Sequence, residues 1–291
     1  MVHPMSMKTI LLPLEDCDAT GSMLETAWLA AGQFGGYIEG LYIKRALSGV
    51  VVADIGGYAV ATADLVESFE EEDRQRGKRV RTRFEDFMRA KGIALGGSAA
   101  GASGVSAAWH DDNAPGDGAA GMHARLFDLT VVGRPVSGLS APATSTLETI
   151  LFESGRPILI APPTAPKALN GTVMISWNGS TETARTIALA MPFLAPAKKI
   201  IVLAVEGVMV PGPTATEVAS TLRRGGIAAE AREVAAGNRS GGEVILAEAA
   251  NLGAGLLVKG AYTHSRLRQM IFGGATSHIL AAAELPVLMA H

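Results

Sequence analysis

The chain has 291 residues, 48% of them hydrophobic and only 18% charged, which excludes global disorder and suggests about two domains. A net charge of −3 argues against a general nucleic-acid binder, and a single cysteine, Cys17, excludes an internal disulfide. No window reaches the roughly 18 uninterrupted apolar residues of a membrane helix, and the opening MVHPMSMKTILLPLED lacks a cationic segment ahead of a long apolar one. A cytoplasmic protein without membrane or nucleic-acid partners is expected.

In chain order, KTILLPLE (8–15) is a buried-strand run, and a turn and helix-periodic sequence follow it. After a second strand comes an insert, KRALSGVVVADIGGYAVATAD (44–64), and then a long charged helix over about 64–91. Its acidic start and basic end suit the helix dipole, and Glu70–Arg74 and Glu72–Arg76 have i, i+4 spacing. The stretch 96–121 is rich in Gly, Ala and Asp and reads as loop around one short strand, VSAAWH. The apolar runs LTVVGRPV (129–136) and RPILIAPP (156–163) complete the first half, and PPTAPKALNG (162–171) has the marks of a linker.

The second half repeats these landmarks in the same order. GTVMISWN (171–178) matches 8–15, LLVKGAYT (256–263) matches 129–136, and LPVLMAH (285–291) matches 156–163. Strands are expected near 171–177, 199–205, 227–234, 255–260 and 285–290, and helices near 181–194, 213–225, 241–252 and 275–284. Ala184, Ile187, Ala188 and Met191 give the first of these helices one apolar face. Ser240…Glu243 has capping-box spacing, as do Ser22…Glu25 and Ser145…Glu148. Apolar strands alternating with helices imply two tandem α/β, doubly wound (Rossmann-like) domains, 1–165 and 166–291, each a parallel sheet covered on both faces.

Ligands of such sheets sit outside the carboxyl ends of the strands. In the second half those ends carry Trp177, Asn178, Gly179 and Ser180; Val205 and Glu206; and Gly260 to Thr276. Gly273 and Gly274 ahead of a helix leave backbone N–H groups open to an anion, and Lys259, His264, Arg266 and Arg268 add positive charge.

With its two copies, its fourth strand ending in glycine, and a nine-residue spacer before a second glycine site, the chain resembles the universal stress protein family in tandem form. The resemblance implies a five-stranded parallel sheet per copy, pairing of the copies as an internal pseudo-dimer, a homodimer, and ATP with Mg²⁺ as ligand. The family's loop runs G-x2-G-x9-G-[S/T]. Here Gly260 matches the first glycine, Thr263 stands at the second, and His264 to Phe272 keep the spacer. Gly273 matches the third, Gly274 stands at the Ser/Thr position, and Thr276 lies two residues on. Asn178 replaces an Asp that holds the ribose, with Trp177 before it, and Val205 matches a residue flanking adenine. The resemblance thus places adenine near Val205 and Trp177, ribose near Asn178, and phosphates against Gly260, Gly273, Gly274, Ala275 and Thr276, with Tyr262 able to stack on a base. In the first half only Gly133 is kept, Val136 stands at the second glycine, the third is missing, and Glu15 sits where the Asp is expected. That copy is expected to be structural.

Other signals are weaker. SGG (240–242) precedes a later helix rather than following the first strand, so it reads as a cap. WHDDN (109–113) with His123 lacks firm ligand spacing for a metal, and Cys17 has no histidine placed to activate it. The expectation is a stress-response protein that binds rather than turns over, and not an enzyme. The alternatives are an interaction protein without nucleotide, and a weak ATPase.

Overall fold

The computed structural model describes residues 7–44, 63–96, 104–111, 116–135, 142–261 and 274–291. Most of the insert 44–64 lies outside them, as do Asp112, Asn113, Val136, Tyr262, Thr263 and Gly273.

The first half runs β1 (Thr9–Leu14), α1 (Thr20–Phe34), β2 (Tyr37–Tyr42), α2 (Ala63–Ala90), β3 (Ala94–Leu95), β4 (Ser106–His110), α3 (Asp117–His123), β5 (Leu129–Gly133), α4 (Thr144–Glu153) and β6 (Ile158–Ala161). The second runs β7 (Thr172–Trp177), α5 (Thr181–Leu194), β8 (Lys199–Val205), α6 (Ala215–Arg224), β9 (Ala229–Val234), α7 (Gly241–Asn251), β10 (Ala254–Gly260), α8 (Gly274–Ala282) and β11 (Val287–Ala290). All strands join one eleven-stranded sheet of order β3-β4-β2-β1-β5-β6-β11-β10-β7-β8-β9. Within each half every pairing is parallel. The halves meet where β6 and β11 pair antiparallel, Leu159 opposite Leu288. Each half thus has its five parallel strands, and the two-residue β3 adds one at the outer edge.

The strands are apolar throughout because both faces are covered. One core packs α1, α2, α5 and α6 on one face, with Phe84, Phe193, Ile10 and Val258 at its centre. The other packs α3, α4, α7 and α8 on the opposite face, around Leu11, Ile150, Leu203 and Leu257. Both cores span the two halves.

Several local expectations are corrected. The stretch 96–121 contains α3, and Ala94–Leu95 pairs with β4 ahead of it. Neither Ser22 nor Ser145 caps a helix: α1 starts after Ala19 and α4 after Ala143, neither with a side-chain cap. The Ser22 hydroxyl instead donates to the Pro162 carbonyl at 2.5 Å. Ser240 and Glu243 do form the reciprocal box, and Thr214 with Glu217 forms a second. On α5 the buried face is Thr183, Thr186, Ala190 and Phe193; of the expected face, Ile187 and Met191 pack against the core while Ala184 and Ala188 are exposed. Thr186 tolerates burial because its hydroxyl donates to the Glu182 carbonyl. On α2, Arg76 pairs with Glu72 as spaced, but Arg74 takes Glu71 rather than Glu70.

One side chain ties the halves together beyond the β6–β11 ladder. Arg134, at the end of β5 and 7% exposed, donates to the Ala281 carbonyl in the last turn of α8 and, at 3.4 Å, to Glu284. Burial lowers its pKa, but the Glu284 carboxylate works against that shift, and the Ala281 carbonyl would be left without this donor if the guanidinium were removed. Arg134→Met keeps the apolar stem and removes the bond. It should lower unfolding free energy by about 1–2 kcal/mol, read by denaturant titration.

Candidate functional site

The strand order reverses between β7 and β10 in the second half and between β1 and β5 in the first. Both crevices lie where the fold offers ligand sites, and they differ in content.

In the first half the crevice is filled by the chain itself. The Glu15 carboxylate accepts from the backbone N–H of Ala143 at 3.0 Å, at the start of α4, and the Thr146 hydroxyl lies 3.2 Å from it and 2.6 Å from Asp117. A built-in anion therefore occupies this helix N-terminus. Pro142 packs on Gly133 so closely that an added Cβ would lie 2.4 Å from its ring. The remaining cavity, about 10 Å³ beside Cys17, has room for about one water. Burial raises the Cys17 thiol pKa, which suits packing rather than nucleophilic attack.

In the second half the crevice differs on its two sides. On the β10 side, Lys259 and Gly260 point to opposite faces of the sheet, as alternation requires. Lys259 is 8% exposed, and its ammonium donates to the Thr276 hydroxyl and to the Gly260 carbonyl, both at 2.9 Å. No carboxylate among the described residues pairs with it, and burial pushes its pKa down to about 8. Thr276 sits in the first turn of α8, so a buried cation and a helix N-terminus converge. Gly274 opens that helix with none of the described residues within 4 Å of where its Cβ would stand. Ala275 follows it, half-buried.

On the β7–β8 side the residues expected to hold adenine and ribose are engaged internally. Trp177 is buried in the core, its indole N–H donating to the Pro213 carbonyl at 2.7 Å. The Asn178 side-chain oxygen accepts from the Thr183 hydroxyl at 2.7 Å and from the Ser180 N–H at 3.3 Å. The segment after β8 crosses directly over this turn, with Val210 N–H donating to the Asn178 carbonyl at 2.8 Å. Gly179 has φ +85°, and a Cβ there would meet the Val210 carbonyl at 2.5 Å, so the crossing requires glycine. Beyond it opens a cavity of about 420 Å³, floored by Val205 and rimmed by Met209, Thr214, Glu206 and Glu233.

Of the sequence-derived candidates, the structure gathers Gly260 and Thr276 around Lys259 and places Val205 at the larger cavity. Trp177 and Asn178 are engaged inward, and Tyr262, Thr263 and Gly273 lie outside the described residues. Glu233 escaped notice because it lies in AEAREV, whose charges read as an exposed edge strand. No helix among the described residues is long and apolar enough to cross a membrane.

The universal stress protein family model matches residues 187–291. No curated protein sequence matches the chain. Among solved structures, a universal stress protein from Archaeoglobus fulgidus DSM 4304 is similar over 98% of this chain and 96% of its own, with a TM-score of 0.67 and 16% identity. A protein of unknown function from Pseudomonas aeruginosa PAO1 is similar over 98% and 92%, with a TM-score of 0.55 and 14% identity. At such identities the likeness is one of fold. Residues 187–291 thus match the universal stress protein family, and the whole chain has the α/β fold of a universal stress protein of nearly the same length.

Proposed function

We propose that the chain is a tandem, cytoplasmic universal stress protein that binds ATP, with Mg²⁺, in its second domain and acts by binding rather than by turnover. The observation that carries this reading is Lys259, a buried ammonium with no carboxylate partner among the described residues, set beneath the N-terminal turn of α8. A cation taken out of water without a counter-charge is expensive unless something anionic pairs with it. Phosphates against Gly274 and Thr276 would supply that charge. From Lys259 the ligand would run past the ends of β10 and β7, outside the 206–213 segment that covers the Asn178 turn, toward Val205. At about 4.8 Å per strand, Val205 on β8 lies two strands and about 10 Å away, within the span of a nucleoside with its phosphate chain. Its carboxylates, Glu206 and Glu233, can accept from ribose hydroxyls, a part that Asn178, engaged inward, plays poorly. The first domain, its own crevice closed by Glu15, serves as scaffold, and its junction with the second forms an internal pseudo-dimer; two such chains pair as a homodimer.

Gly274→Asp tests this directly. None of the described residues stands where the new side chain would go, and an acid at a helix start adds about 0.3–1 kcal/mol. The variant should be slightly more stable than the parent when ligand-free, yet lose the thermal stabilisation by millimolar ATP with Mg²⁺ that the parent shows. A second reading, an interaction protein without nucleotide, is favoured by the inward hydrogen bonds of Asn178. No thermal shift in the parent would decide for it. Steady phosphate release from ATP would instead show turnover.

A further inference from the structure

The first domain holds a cluster that the nucleotide reading does not use. Glu39 on β2, His110 at the end of β4 and His123 at the end of α3 each present one ligand atom, all within 4.8 Å of one another. β2 and β4 are hydrogen-bonded neighbours, with Glu39 opposite Ala108 and Leu41 opposite His110. The pleat therefore puts Glu39 and His110 on one face, and α3 lays His123 over that face. His123 Nε2 lies 2.6 Å from Glu39 Oε1, and His110 Nδ1 lies 3.6 Å from the same oxygen. The two imidazoles stack at 4.4 Å. The other carboxylate oxygen, Oε2, accepts from the Tyr37 hydroxyl at 2.6 Å. Oε1 is thus turned toward the histidines by a group that is not itself a ligand.

We propose that Glu39, His110 and His123 form a binding site for a divalent transition ion of the Zn²⁺ class. Two imidazoles and one carboxylate are the donors that such ions prefer, and three protein ligands leave a fourth position for water. Ligand distances of about 2.0–2.2 Å put donor atoms of a tetrahedral site about 3.3 Å apart, so the present separations need only small side-chain adjustments. Binding takes both imidazoles neutral. Each imidazole then offers the ion a ring-nitrogen lone pair, so the ion replaces the present contact between His123 Nε2 and Glu39 Oε1. His110 is 39% exposed at its side chain, which gives the ion a path in, while Glu39 and His123 are mostly covered. The ring of Phe127, 5.2 Å from that of His123, walls the inner side. Tyr37 plays the outer-shell part that fixes a carboxylate ligand.

The test uses the full chain, stripped with a chelator, dialysed against Zn²⁺, and titrated with Co²⁺ for the visible absorption of a low-coordinate site. The parent should retain one Zn²⁺ per chain and melt at a higher temperature with it. Tyr37→Phe should weaken affinity about 10-fold. His110→Ala, at a half-buried position, and His123→Ala should each weaken it beyond about 100-fold, while His278→Ala binds as the parent does. ATP responses should be unchanged in all of them, since the two sites lie in different halves. Failure of the parent to retain Zn²⁺, or parental retention by either His110→Ala or His123→Ala, overturns the proposal. A carboxylate–imidazole hydrogen bond alone would give that result.

Discussion

Lys259→Met should stabilise the ligand-free protein at pH 7 by about 1–3 kcal/mol and abolish its stabilisation by ATP. The unfolded chain holds this ammonium near its ordinary 10.5, while burial brings the folded value to about 8. At about 1.4 kcal/mol per pH unit, that drop corresponds to about 3 kcal/mol of destabilisation when the group is protonated in both states. Loss of the bond to Thr276 takes back about 1 kcal/mol. The sign with pH follows. Below about 8 both states bind the proton and the whole penalty is present. Between about 8 and 10.5 the unfolded chain binds more protons than the folded one, so parental stability rises with pH. Above 10.5 the penalty is gone. Denaturant titrations across pH 7–11 should therefore show the parent gaining on Lys259→Met through that window. Parallel curves, or a less stable variant at pH 7, would refute the reading. A residue that costs stability in the empty protein and gains a partner only with ligand is typical of a binding site.

How much of this was legible in the sequence depends on the range of the interactions. Strands such as VMISW and VLMA are apolar runs bounded by turns, and the 240–243 box carries its own cap, so the second half reads almost to the residue. Ser22…Glu25 has the same spacing and fails, because Ala19 is already helical and Ser22 lies within the first turn of α1. Spacing alone does not tell a cap from an interior pair. The face of α5 was legible only in part, at Ile187 and Met191, for another reason. Thr183 and Thr186 look polar but are buried, their hydroxyls bonded locally and, for Thr186, also toward the Ala290 carbonyl on β11. The single sheet could not be foreseen either, because the β6–β11 pairing joins residues far apart in the chain.

The candidate site divides in the same way. Lys259 and Thr276 fall in one short window, so their meeting was foreseeable from a strand–loop–helix pattern. Glu39, His110 and His123 are scattered over 85 positions, and Glu39 in YIEGLY reads only as one polar residue in a strand. The crossing of the 206–213 segment over Asn178 left one trace, the pair Gly179 and Gly212. A Cβ on Gly212 would lie 2.5 Å from the Gly179 carbonyl.

Gly260→Ala should destabilise the protein by about 3 kcal/mol whether or not nucleotide is present, whereas Gly274→Ala should change stability by less than about 0.5 kcal/mol. A Cβ at Gly260 would stand 2.5 Å from the backbone nitrogen of Thr183 and 2.8 Å from the Glu182 carbonyl carbon. These are atoms of the first turn of α5, which cannot yield as a flexible side chain would. The helix would have to lift off β10, disturbing the Ser180 cap and the Asn178 bonds that share that turn. Gly260 is therefore required by packing within the domain, on the face of the sheet opposite Lys259. Gly274 meets none of the described residues, so with respect to them its small size matters only if another molecule approaches α8. The two glycines of one sequence motif thus have separable tasks. Unfolding free energies of the two alanine variants, measured with and without ATP and Mg²⁺, distinguish them. If Gly260→Ala is as stable as the parent, the packing argument fails; if Gly274→Ala leaves the ATP response intact, α8 is not where the phosphates rest.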